Sequence, residues 1–543
     1  MSDPTAVCAS DRRRLPLSVI VMAGGFFLVC LAIQIWRLET LSASYDQALF
    51  LQELWSTAHG RPFESSLSSV LSASVALGQD LPRTDYLHLG QHANLLSLFG
   101  APFVGVMGKW ALPMIQVTAL TVAGLVLWRL ADTRLPRALA ERITAAYFLS
   151  GAVLGPALEN FHDLIWLPLL GFLVAGALLE SCVWQVILYG ALLLLVREDS
   201  GLLLFSIGLW ALVRRPGVRR IGAGLMLISF LWVLLITGWI QPMVDSSLSD
   251  RFLQEKFGHL VDDPSGGTAS VLFAMLRRPL ALFEALVSPP GATLGFLLAL
   301  SLPLLFVPLF SVDALLLMAA PLLIALLSQG RSALSVTLRY VLALVPGLYL
   351  GAVLWWQQHP KRWTRLWIRR SWTAAISLGL VLTILANPHR SLSAFIPDSF
   401  SPWIHVPPSQ MIERRNAALA AVALVPNNVS VSADTPLLPL LAEREELIRF
   451  PNHVQYRDRA GESHLVDWVV AFPGYYEPLA PVFKLERERQ HRIRTKLSEL
   501  IESGSYRLVH CQRGVVVLQH QELGTTSAQK ATVGKASACP SLG

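Results

Sequence analysis

Residues 15–36 read LPLSVIVMAGGFFLVCLAIQIW, twenty-two residues without a charged side chain, and they directly follow Arg12, Arg13 and Arg14. A helix needs about 20 consecutive apolar residues to cross the hydrocarbon core of a bilayer. No small-residue cleavage site follows the run. The pattern therefore predicts a retained first membrane helix rather than a cleaved signal peptide.

The whole chain has the composition of a membrane protein. Of its 543 residues, 53% are hydrophobic and only 15% are charged, whereas about 25% of the residues of a soluble protein are charged. One buried core cannot account for this deficit, so the sequence predicts a mainly α, polytopic membrane bundle of about eleven spans rather than a soluble enzyme. The predicted spans are residues 15–36, 111–131, 138–158, 164–180, 183–196, 200–213, 221–241, 292–309, 312–328, 340–356 and 372–387.

The positions of the positive charges predict how the chain is oriented in the membrane. The net charge of +7 is concentrated in clusters at residues 12–14, 129–142, 214–220 and 361–370, each beside an apolar run. All four clusters fall on one side of the membrane if the weaker run 93–108 lies in the interface instead of crossing. Because such clusters stay in the cytoplasm, the N-terminus is predicted to be cytoplasmic and the C-terminal domain extracytoplasmic. The charge pattern predicts no nucleic-acid partner.

The chain divides into four predicted regions. Residues 1–14 form the basic N-terminus, and residues 15–387 form the transmembrane bundle. The bundle carries a first outer loop at 37–92 and a further outer loop at 242–290. Alternating and helical periodicities predict a small α/β domain over 388–520. Residues 521–543 are rich in Ser, Thr, Ala and Lys without periodicity, which is typical of a disordered tail.

The first outer loop contains the candidate catalytic residue. Asp46 precedes an amphipathic stretch at 47–58, and it is either a general base held near the membrane or the N-cap of that helix. His88 and His92 follow in the same loop. Four residues apart, they would share a helix face and bind a metal or phosphate, or they are interfacial and solvated.

A tight outer turn joins the third and fourth spans. It holds Glu159, His162 and Asp163 within five residues, although one cap is all that such a turn requires. Asp163 can cap the next helix, but neither Glu159 nor His162 is needed for that purpose. These side chains are therefore candidates for the acceptor or metal side of a site.

A second charged group lies between the fifth and sixth spans. Arg197, Glu198 and Asp199 form a triplet that can hold an anion, pair with the turn at 159–163, or cap the next span. Arg331 and Arg339 flank another outer connection. Guanidinium forks suit phosphate oxygens, so Arg197, Arg331 and Arg339 are candidate phosphate-binding residues, with a lipid headgroup contact as the simpler alternative.

Several functional classes are disfavoured. The spans carry almost no ionisable residue near their midpoints, whereas ion-coupled transporters place such groups at mid-membrane. The chain has no P-loop, no dinucleotide-binding glycine pattern and no nucleophile elbow. Nucleotide-driven chemistry is not expected.

Taken in order, several motifs resemble one family of bacterial and archaeal membrane proteins, domain of unknown function 2079. The motifs are YDQALFLQELW at 45–55, AHGRPF at 58–63, GQH at 90–92, NFHD at 160–163, VREDS at 196–200, VPNNVSVSADTPLLPLLA at 425–442, SYRLVH at 505–510 and VVVL at 515–518. That family is in turn similar to the C-superfamily glycosyltransferases, which implies a GT-C-like fold. Two departures stand out: Asp46 is followed by Gln47 rather than by a second acidic residue, and a His-Pro-Glu pattern appears here as His162-Asp163-Leu164.

The resemblance implies a function. It implies transfer of a sugar from a polyprenyl-phosphate donor to a glycan, lipid or protein acceptor at the outer face of the bacterial inner membrane. Asp46 would be the base, and 47–58 and 93–108 the juxtamembrane helices. The resemblance leaves open whether a divalent ion, Mg²⁺ or Mn²⁺, takes part as a cofactor. The alternative is a non-catalytic scaffold or lipid-handling component with the same fold.

Overall fold

The computed structural model describes residues 14–246, 277–328 and 332–521, and these are mainly helical. In chain order the α-helices are α1 Leu17–Glu39, α2 Tyr45–Ala58, α3 Ser66–Ser69, α4 Ala73–Ala76, α5 Ala101–Met107, α6 Ala111–Asp132, α7 Arg137–Leu149, α8 Gly151–Leu158, α9 Trp166–Leu179, α10 Val183–Leu194, α11 Ser200–Arg214, α12 Arg219–Leu235, α13 Gln241–Val244, α14 Pro279–Val287, α15 Pro290–Ser301, α16 Val307–Phe310, α17 Val312–Leu327, α18 Val345–Gln358, α19 Leu366–Leu385, α20 Pro408–Val422, α21 Leu438–Leu441, α22 Pro473–Tyr476 and α23 Lys484–Glu502.

Short 3₁₀ segments and one π-helix join several of these helices. The 3₁₀ segments are His88–Gly90, Leu95–Gly100, Gly108–Trp110, Asp163–Ile165, Pro216–Val218, Leu302–Leu304, Arg339–Ala343, Pro360–Thr364 and Pro388–Arg390, and the π-helix is Ile236–Ile240. Every apolar run that the sequence predicts as a span is helical for most of its length.

The membrane helices differ in length. Among the described residues, four helical stretches are long and apolar enough to cross a bilayer, namely Leu17–Glu39, Leu95–Asp132, Pro216–Val244 and Leu366–Leu385. A fifth is the pair Pro279–Val287 and Pro290–Leu304, bent by 63°. Other apolar helices are shorter, and the 12 residues of α10 reach only about 18 Å at 1.5 Å per residue.

The run predicted to lie in the interface is a series of short helical pieces. The stretch Leu95–Asp132 has 38 residues, about 57 Å if fully helical and well beyond a hydrocarbon core of about 30 Å. It breaks at Gly108, whose φ of 53° interrupts the helix. The α6 part alone has 22 residues, which suits one span and leaves α5 as a separate segment.

The chain forms two compact units, each described here by itself. Of the described residues, the first unit comprises 14–32, 92–97 and those between 114 and 389, and the second comprises 33–91, 98–113 and 390–521. In the first unit, small residues let helices approach closely, as is common in membranes. A Cβ on Gly351 of α18 would lie 2.4 Å from Ala314 of α17, and one on Gly155 of α8 would lie 2.4 Å from the Thr337 backbone.

The second unit contains the α/β domain. The strands are β1 Ser399–Phe400, β2 Trp403–Ile404, β3 Val431–Asp434, β4 Leu447–Phe450, β5 Gln455–Arg457, β6 Ser463–Leu465, β7 Trp468–Ala471, β8 Tyr506–Gln512 and β9 Val515–His520. The five-stranded sheet has the order β4-β3-β7-β9-β8, with β3 parallel to β4 and β7, and β9 antiparallel to both β7 and β8. Two hairpins, β1–β2 and β5–β6, lie outside this sheet.

The first loop and the C-terminal domain are bonded together within this second unit. The fully buried Gln52 of α2 donates through Nε2 to Ser66 Oγ at 2.9 Å and to the Arg444 carbonyl at 3.0 Å. Ser66 Oγ in turn donates to the Leu447 carbonyl of β4 at 2.8 Å. A bilayer cannot pass through such contacts, so the loop 37–92 and the C-terminal domain lie on the same side of the membrane.

Candidate functional site

The buried Arg197 is the centre of a charged cluster in the first unit. It lies in the turn between α10 and α11, and it is 4% exposed. Its Nε donates to Asp199 Oδ1 at 2.7 Å, and Nη2 donates to Asp199 Oδ2 at 2.5 Å. On the other edge, Nη1 lies 3.7 Å from Asp163 Oδ1. Burial opposes the charge, but Asp199 and Asp163 outweigh it and raise the pKa of Arg197 well above its usual value.

Glu198 links this cluster to the segment before the Leu95–Gly100 helix. Its Oε1 lies 2.8 Å from His92 Nδ1, and its Oε2 accepts the Ala93 N–H at 3.0 Å. Burial raises the pKa of Glu198, but the neighbouring imidazole more than compensates, so the pKa is lowered. Glu198 is therefore an ionised anchor with a histidine partner, an arrangement that can also move a proton.

Asp163 is the buried acid of the cluster. It is 1% exposed, and its Oδ1 accepts the Leu164 N–H at 2.9 Å, while its Oδ2 has no hydrogen-bond partner. Burial raises the pKa of this carboxyl, with Arg197 acting in the opposite direction. An unsatisfied buried carboxyl oxygen has a high free-energy cost, so this atom is suited to hold a proton or to meet a ligand hydroxyl.

Glu159 and Arg339 form a separate clamp. Glu159 is 3% exposed, and its Oε2 accepts the Arg339 backbone N–H at 2.7 Å while its Oε1 accepts Arg339 Nη1 at 2.6 Å. The clamp fixes the start of the 3₁₀ segment Arg339–Ala343, and the Arg339 guanidinium lies 5.2 Å from the centre of the Tyr340 ring. Glu159 and Arg339 therefore have a structural role that does not depend on a ligand.

A cavity of about 110 Å³ adjoins the Arg197 cluster. Since about 10–15 Å³ suffices for one water molecule, it has room for several waters or for a phosphate group. Its polar edge is formed by Arg197, Asp199, Ser200 and Tyr340. The remaining wall is mostly apolar, with Leu164, Leu167, Leu203, Pro321, Ile324 and Ala343 among its residues. The cavity suits a ligand with an anionic or hydroxylated end and an apolar body.

The two histidines of the first loop do not share a helix face, contrary to the prediction. His88 belongs to a 3₁₀ segment that ends at Gly90, so helical periodicity does not extend to His92. His88 is 2% exposed in the second unit, with Nδ1 2.8 Å from Ser68 Oγ and Nε2 4.0 Å from Glu53 Oε2. It packs inside the loop as a core histidine.

Asp46 is not the N-cap of its helix. The simpler of the two interpretations of this residue is therefore wrong. The helix begins at Tyr45, its N-cap is Ser44, and Asp46 lies within the first turn, where a carboxylate favours the helix dipole. Asp46 is partly exposed and belongs to the second unit.

The other predicted residues have different positions. His162 is 7% exposed at the N-cap of the 3₁₀ segment Asp163–Ile165, where its side chain makes no capping bond. Arg331 lies outside the described residues. The structure thus brings together His92, Asp163, Arg197, Glu198 and Asp199, and it places the Glu159–Arg339 pair in the same unit.

Sequence reasoning missed several polar residues. Ser200 and Tyr340 line the cavity, yet single polar residues at the ends of apolar runs give no clear signal. In the second unit, Glu53 is fully buried. Its position seven residues after Asp46 puts both carboxylates on one face of α2, and this spacing was a usable signal.

The carboxylates around Arg197 are not arranged as a metal site. Among the described residues, the group of His, Cys, Asp or Glu whose ligand atoms lie within 4.8 Å of one another is Asp458, Glu462 and His464, on the exposed β5–β6 hairpin. A divalent ion at the Arg197 cluster would therefore require these side chains to rearrange or the substrate to supply ligands.

Comparisons with known proteins identify a family. No curated protein matches the chain. Among solved structures, the chain is similar to that of ArnT from Cupriavidus metallidurans, crystallised with undecaprenyl phosphate, at 12% sequence identity and a TM-score of 0.45 over 91% of this chain and 97% of that chain. The family model described as "Predicted membrane protein (DUF2079)" matches residues 37–517. Since this match covers most of the sequence, the chain belongs to the DUF2079 family of predicted membrane proteins.

Proposed function

We propose that this protein transfers a sugar from a polyprenyl-phosphate donor to an acceptor at the outer face of the bacterial inner membrane. The observation that carries the proposal is the buried Arg197 at the polar edge of a cavity whose other walls are mostly apolar. A lipid-linked phosphate has the matching chemistry, an anionic head on an apolar chain. Family membership supports the proposal, because the DUF2079 family is similar to the C-superfamily glycosyltransferases.

The donor phosphate would meet the Nη1 edge of Arg197. The opposite edge is engaged by Asp199, whereas the 3.7 Å separation from Asp163 is an ion-pair distance beyond a hydrogen bond. Protonation of Asp163 would remove one negative charge from the cluster and lower the repulsion of a phosphate. Burial raises the pKa of Asp163, which favours that protonation state.

The reaction would proceed by substitution at the anomeric carbon. An acceptor hydroxyl loses its proton to a carboxylate, its oxygen bonds to the anomeric carbon, and the bond from that carbon to the phosphate oxygen breaks with its electrons passing to the phosphate. Arg197 would stabilise the departing lipid phosphate, since its charge is already positioned where negative charge develops. Asp46 is the base in this proposal, and its test is separate from that of Arg197.

The remaining residues would serve the acceptor side. His92, Asp163, Glu198 and Asp199 would orient the acceptor, while Glu159 holds Arg339. Removal of divalent ions with a chelator, followed by their return, measures whether a metal takes part. The donor carries its own activated bond, so the reaction consumes no nucleotide.

One observation favours the non-catalytic alternative. Of the three arginines that the sequence assigns to phosphate, the two that the structure describes already bind carboxylates of the same chain, Arg197 with Asp199 and Arg339 with Glu159. Under this alternative the cluster is a structural ion network that stabilises the ends of the membrane helices, and the protein is a scaffold or a lipid-handling component.

Binding of polyprenyl phosphate distinguishes the glycosyltransferase from the non-catalytic scaffold. In native mass spectrometry of the full chain, we expect Arg197→Lys to weaken binding at least about 10-fold, because charged hydrogen bonds contribute about 1.5–3 kcal/mol and a lysine cannot serve Asp199 and a phosphate at once. The matched control is Arg214→Lys, an arginine that pairs with Asp313 in the same unit and does not line the cavity. Equal affinity in both variants and the wild type would favour the scaffold.

A further inference from the structure

Three large aromatic side chains are exposed within nine residues, soon after the last membrane helix. Phe395 is 82% exposed, Phe400 is 60% exposed and Trp403 is 67% exposed. The last two belong to the two-stranded hairpin β1–β2, in which Phe400 pairs with Trp403. We call residues 395–404 the aromatic hairpin.

The exposed surface of the aromatic hairpin carries no charge. Between Arg390 and Glu413 the sequence holds one charged residue, Asp398. Its side chain is 4% exposed, accepts from Ser393 Oγ at 2.7 Å and lies 3.9 Å from Arg390 Nε. The one charge is therefore turned inward and compensated, and the tip at 400–403 is neutral.

The two tip aromatics form one apolar projection. The rings of Phe400 and Trp403 meet edge to face, with centroids 6.1 Å apart. Ser401 and Pro402 between them are also exposed. Clustered exposed aromatic surface on a water-soluble domain marks an interaction site, and Trp is enriched where the apolar core of a membrane meets its headgroups.

The position of the aromatic hairpin along the chain indicates that the surface it contacts is the membrane. The helix α19 is among the candidate membrane spans, and its last residues, including Leu382 at 52% and Leu385 at 54%, are exposed apolar side chains. Phe395 comes ten residues after Leu385, so an extended chain could carry it at most about 35 Å from the end of the span. The aromatic hairpin thus continues directly from a membrane-crossing segment.

We propose that the aromatic hairpin inserts Phe395, Phe400 and Trp403 into the interfacial layer of the bilayer as a membrane anchor of the C-terminal domain. The lipid headgroup region is its partner. This inference rests on exposure, charge and chain connectivity, and it stands whether or not the protein transfers sugars.

Photo-crosslinking tests the proposal with the full chain in nanodiscs of phosphatidylethanolamine and phosphatidylglycerol. p-Benzoylphenylalanine replaces Phe400 or Trp403, both changes being aromatic for aromatic. Leu382 in α19 is the lipid-exposed positive control. Leu485, 60% exposed on the charged helix α23, is the control for an exposed apolar side chain outside the aromatic hairpin. After irradiation, intact-mass spectrometry counts protein molecules that carry one added lipid.

We expect lipid adducts at positions 400 and 403 at a yield within about 3-fold of position 382, and at least about 10-fold above position 485. Adducts at 382 without any at 400 and 403 would overturn the proposal. So would adducts in which positions 400 and 403 attach to a second copy of the chain or to another protein instead of lipid. Equal lipid yields at 400, 403 and 485 would also overturn it, because they would show no preference of the hairpin for the membrane.

Discussion

At the scale of single residues, the charged side chains of the turns at 159–163 and 197–199 act together rather than as separate caps. Arg197 binds Asp199 and faces Asp163 from the preceding turn, which is one of the pairings that the sequence suggested. The sequence could indicate this because isolated charges beside apolar runs need partners. It could not indicate that Glu159 binds Arg339, since 180 residues separate them and neither has a distinctive neighbour.

Arg197 should be important for stability. Replacing it with Gln removes the positive charge that faces the buried Asp163 carboxyl and binds Asp199, whose side chain is 41% exposed. The cost should therefore be below the about 3–5 kcal/mol of breaking a fully buried pair. We expect a clearly lower midpoint of thermal unfolding for Arg197→Gln, measured by intrinsic fluorescence in detergent.

The control for this variant is an exposed ion pair. Arg137 is 63% exposed and lies 3.0 Å from Glu141, so Arg137→Gln should cost only about 0.3–0.5 kcal/mol. A midpoint for Arg197→Gln that matches Arg137→Gln would show that the cluster does not stabilise the fold.

Asp434 should make the stability of the C-terminal domain depend on pH. This fully buried carboxyl lies at the end of β3, and burial raises its pKa from 3.8 to about 6, although the Tyr476 hydroxyl and the Thr435 and Phe472 N–H groups bond to it. Because the pKa is higher in the folded than in the unfolded state, the stabilisation is complete below pH 3.8 and is lost as pH rises through about 6. The loss is at most about 3 kcal/mol, from 1.36 kcal/mol per pKa unit.

Asp434→Asn mimics the protonated acid and should remove this dependence. We expect the urea midpoint of the C-terminal domain, followed by pulse proteolysis of the full chain, to fall from pH 4.5 to pH 7.5 in the wild type and to change much less in the variant. Parallel pH profiles in the two proteins would contradict the assignment.

At the scale of elements, hydrophobic periodicity located the helices and the sheet well. The sequence predicts strands at 429–433, 447–450, 467–472, 506–511 and 514–519. The main sheet strands β3, β4, β7, β8 and β9 begin and end within two residues of these bounds, because turn residues flank each of the short runs. The hairpins β1–β2 and β5–β6 were missed, because strands of two or three residues are too short for a period to be visible. Helix lengths were also less predictable than helix positions.

Close packing of α17 and α18 should be sensitive to one methyl group. The Cβ of Gly351→Ala would lie 2.4 Å from Ala314, which forces the helices apart at a cost of about 1–3 kcal/mol. The matched control is Gly295→Ala in α15, where nothing lies within 4 Å and alanine favours the helix by about 1 kcal/mol. We expect opposite shifts in thermal midpoint for the two variants, and equal shifts would contradict the packing account.

At the scale of the whole molecule, the least predictable feature is the joining of the first loop to the C-terminal domain. Gln52 and Arg444 meet although 392 residues separate them, and a single sequence carries no signal for such a pairing. Each segment alone could be recognised as water-exposed. Their union in one compact unit restricts the topology, since both must lie on one side of the membrane.

Sidedness can be measured directly. We expect a membrane-impermeant maleimide added to whole cells with a permeabilised outer membrane to label cysteines placed at the exposed positions Gln79 and Glu488. A cysteine at Arg137, in a predicted cytoplasmic cluster, should react only after lysis. Labelling at one of Gln79 and Glu488 without the other would contradict the shared unit, and labelling of position 137 alone would reverse the predicted orientation.

The central claim is that the protein uses a polyprenyl-phosphate sugar, and transfer of label from such donors tests it most directly. Radiolabelled donors would be supplied to the purified full chain together with membranes from host cells lacking the gene, which provide the native acceptors. Wild type, Asp46→Asn, Arg197→Lys and the control Arg214→Lys would be compared. We predict labelled product with the wild type and Arg214→Lys, and a loss of at least about 100-fold with Asp46→Asn and Arg197→Lys, as removing a catalytic acid–base group or a charge-stabilising donor does. No labelled product from any donor, with all four proteins folded, would contradict the account and leave the scaffold as the function of this membrane protein.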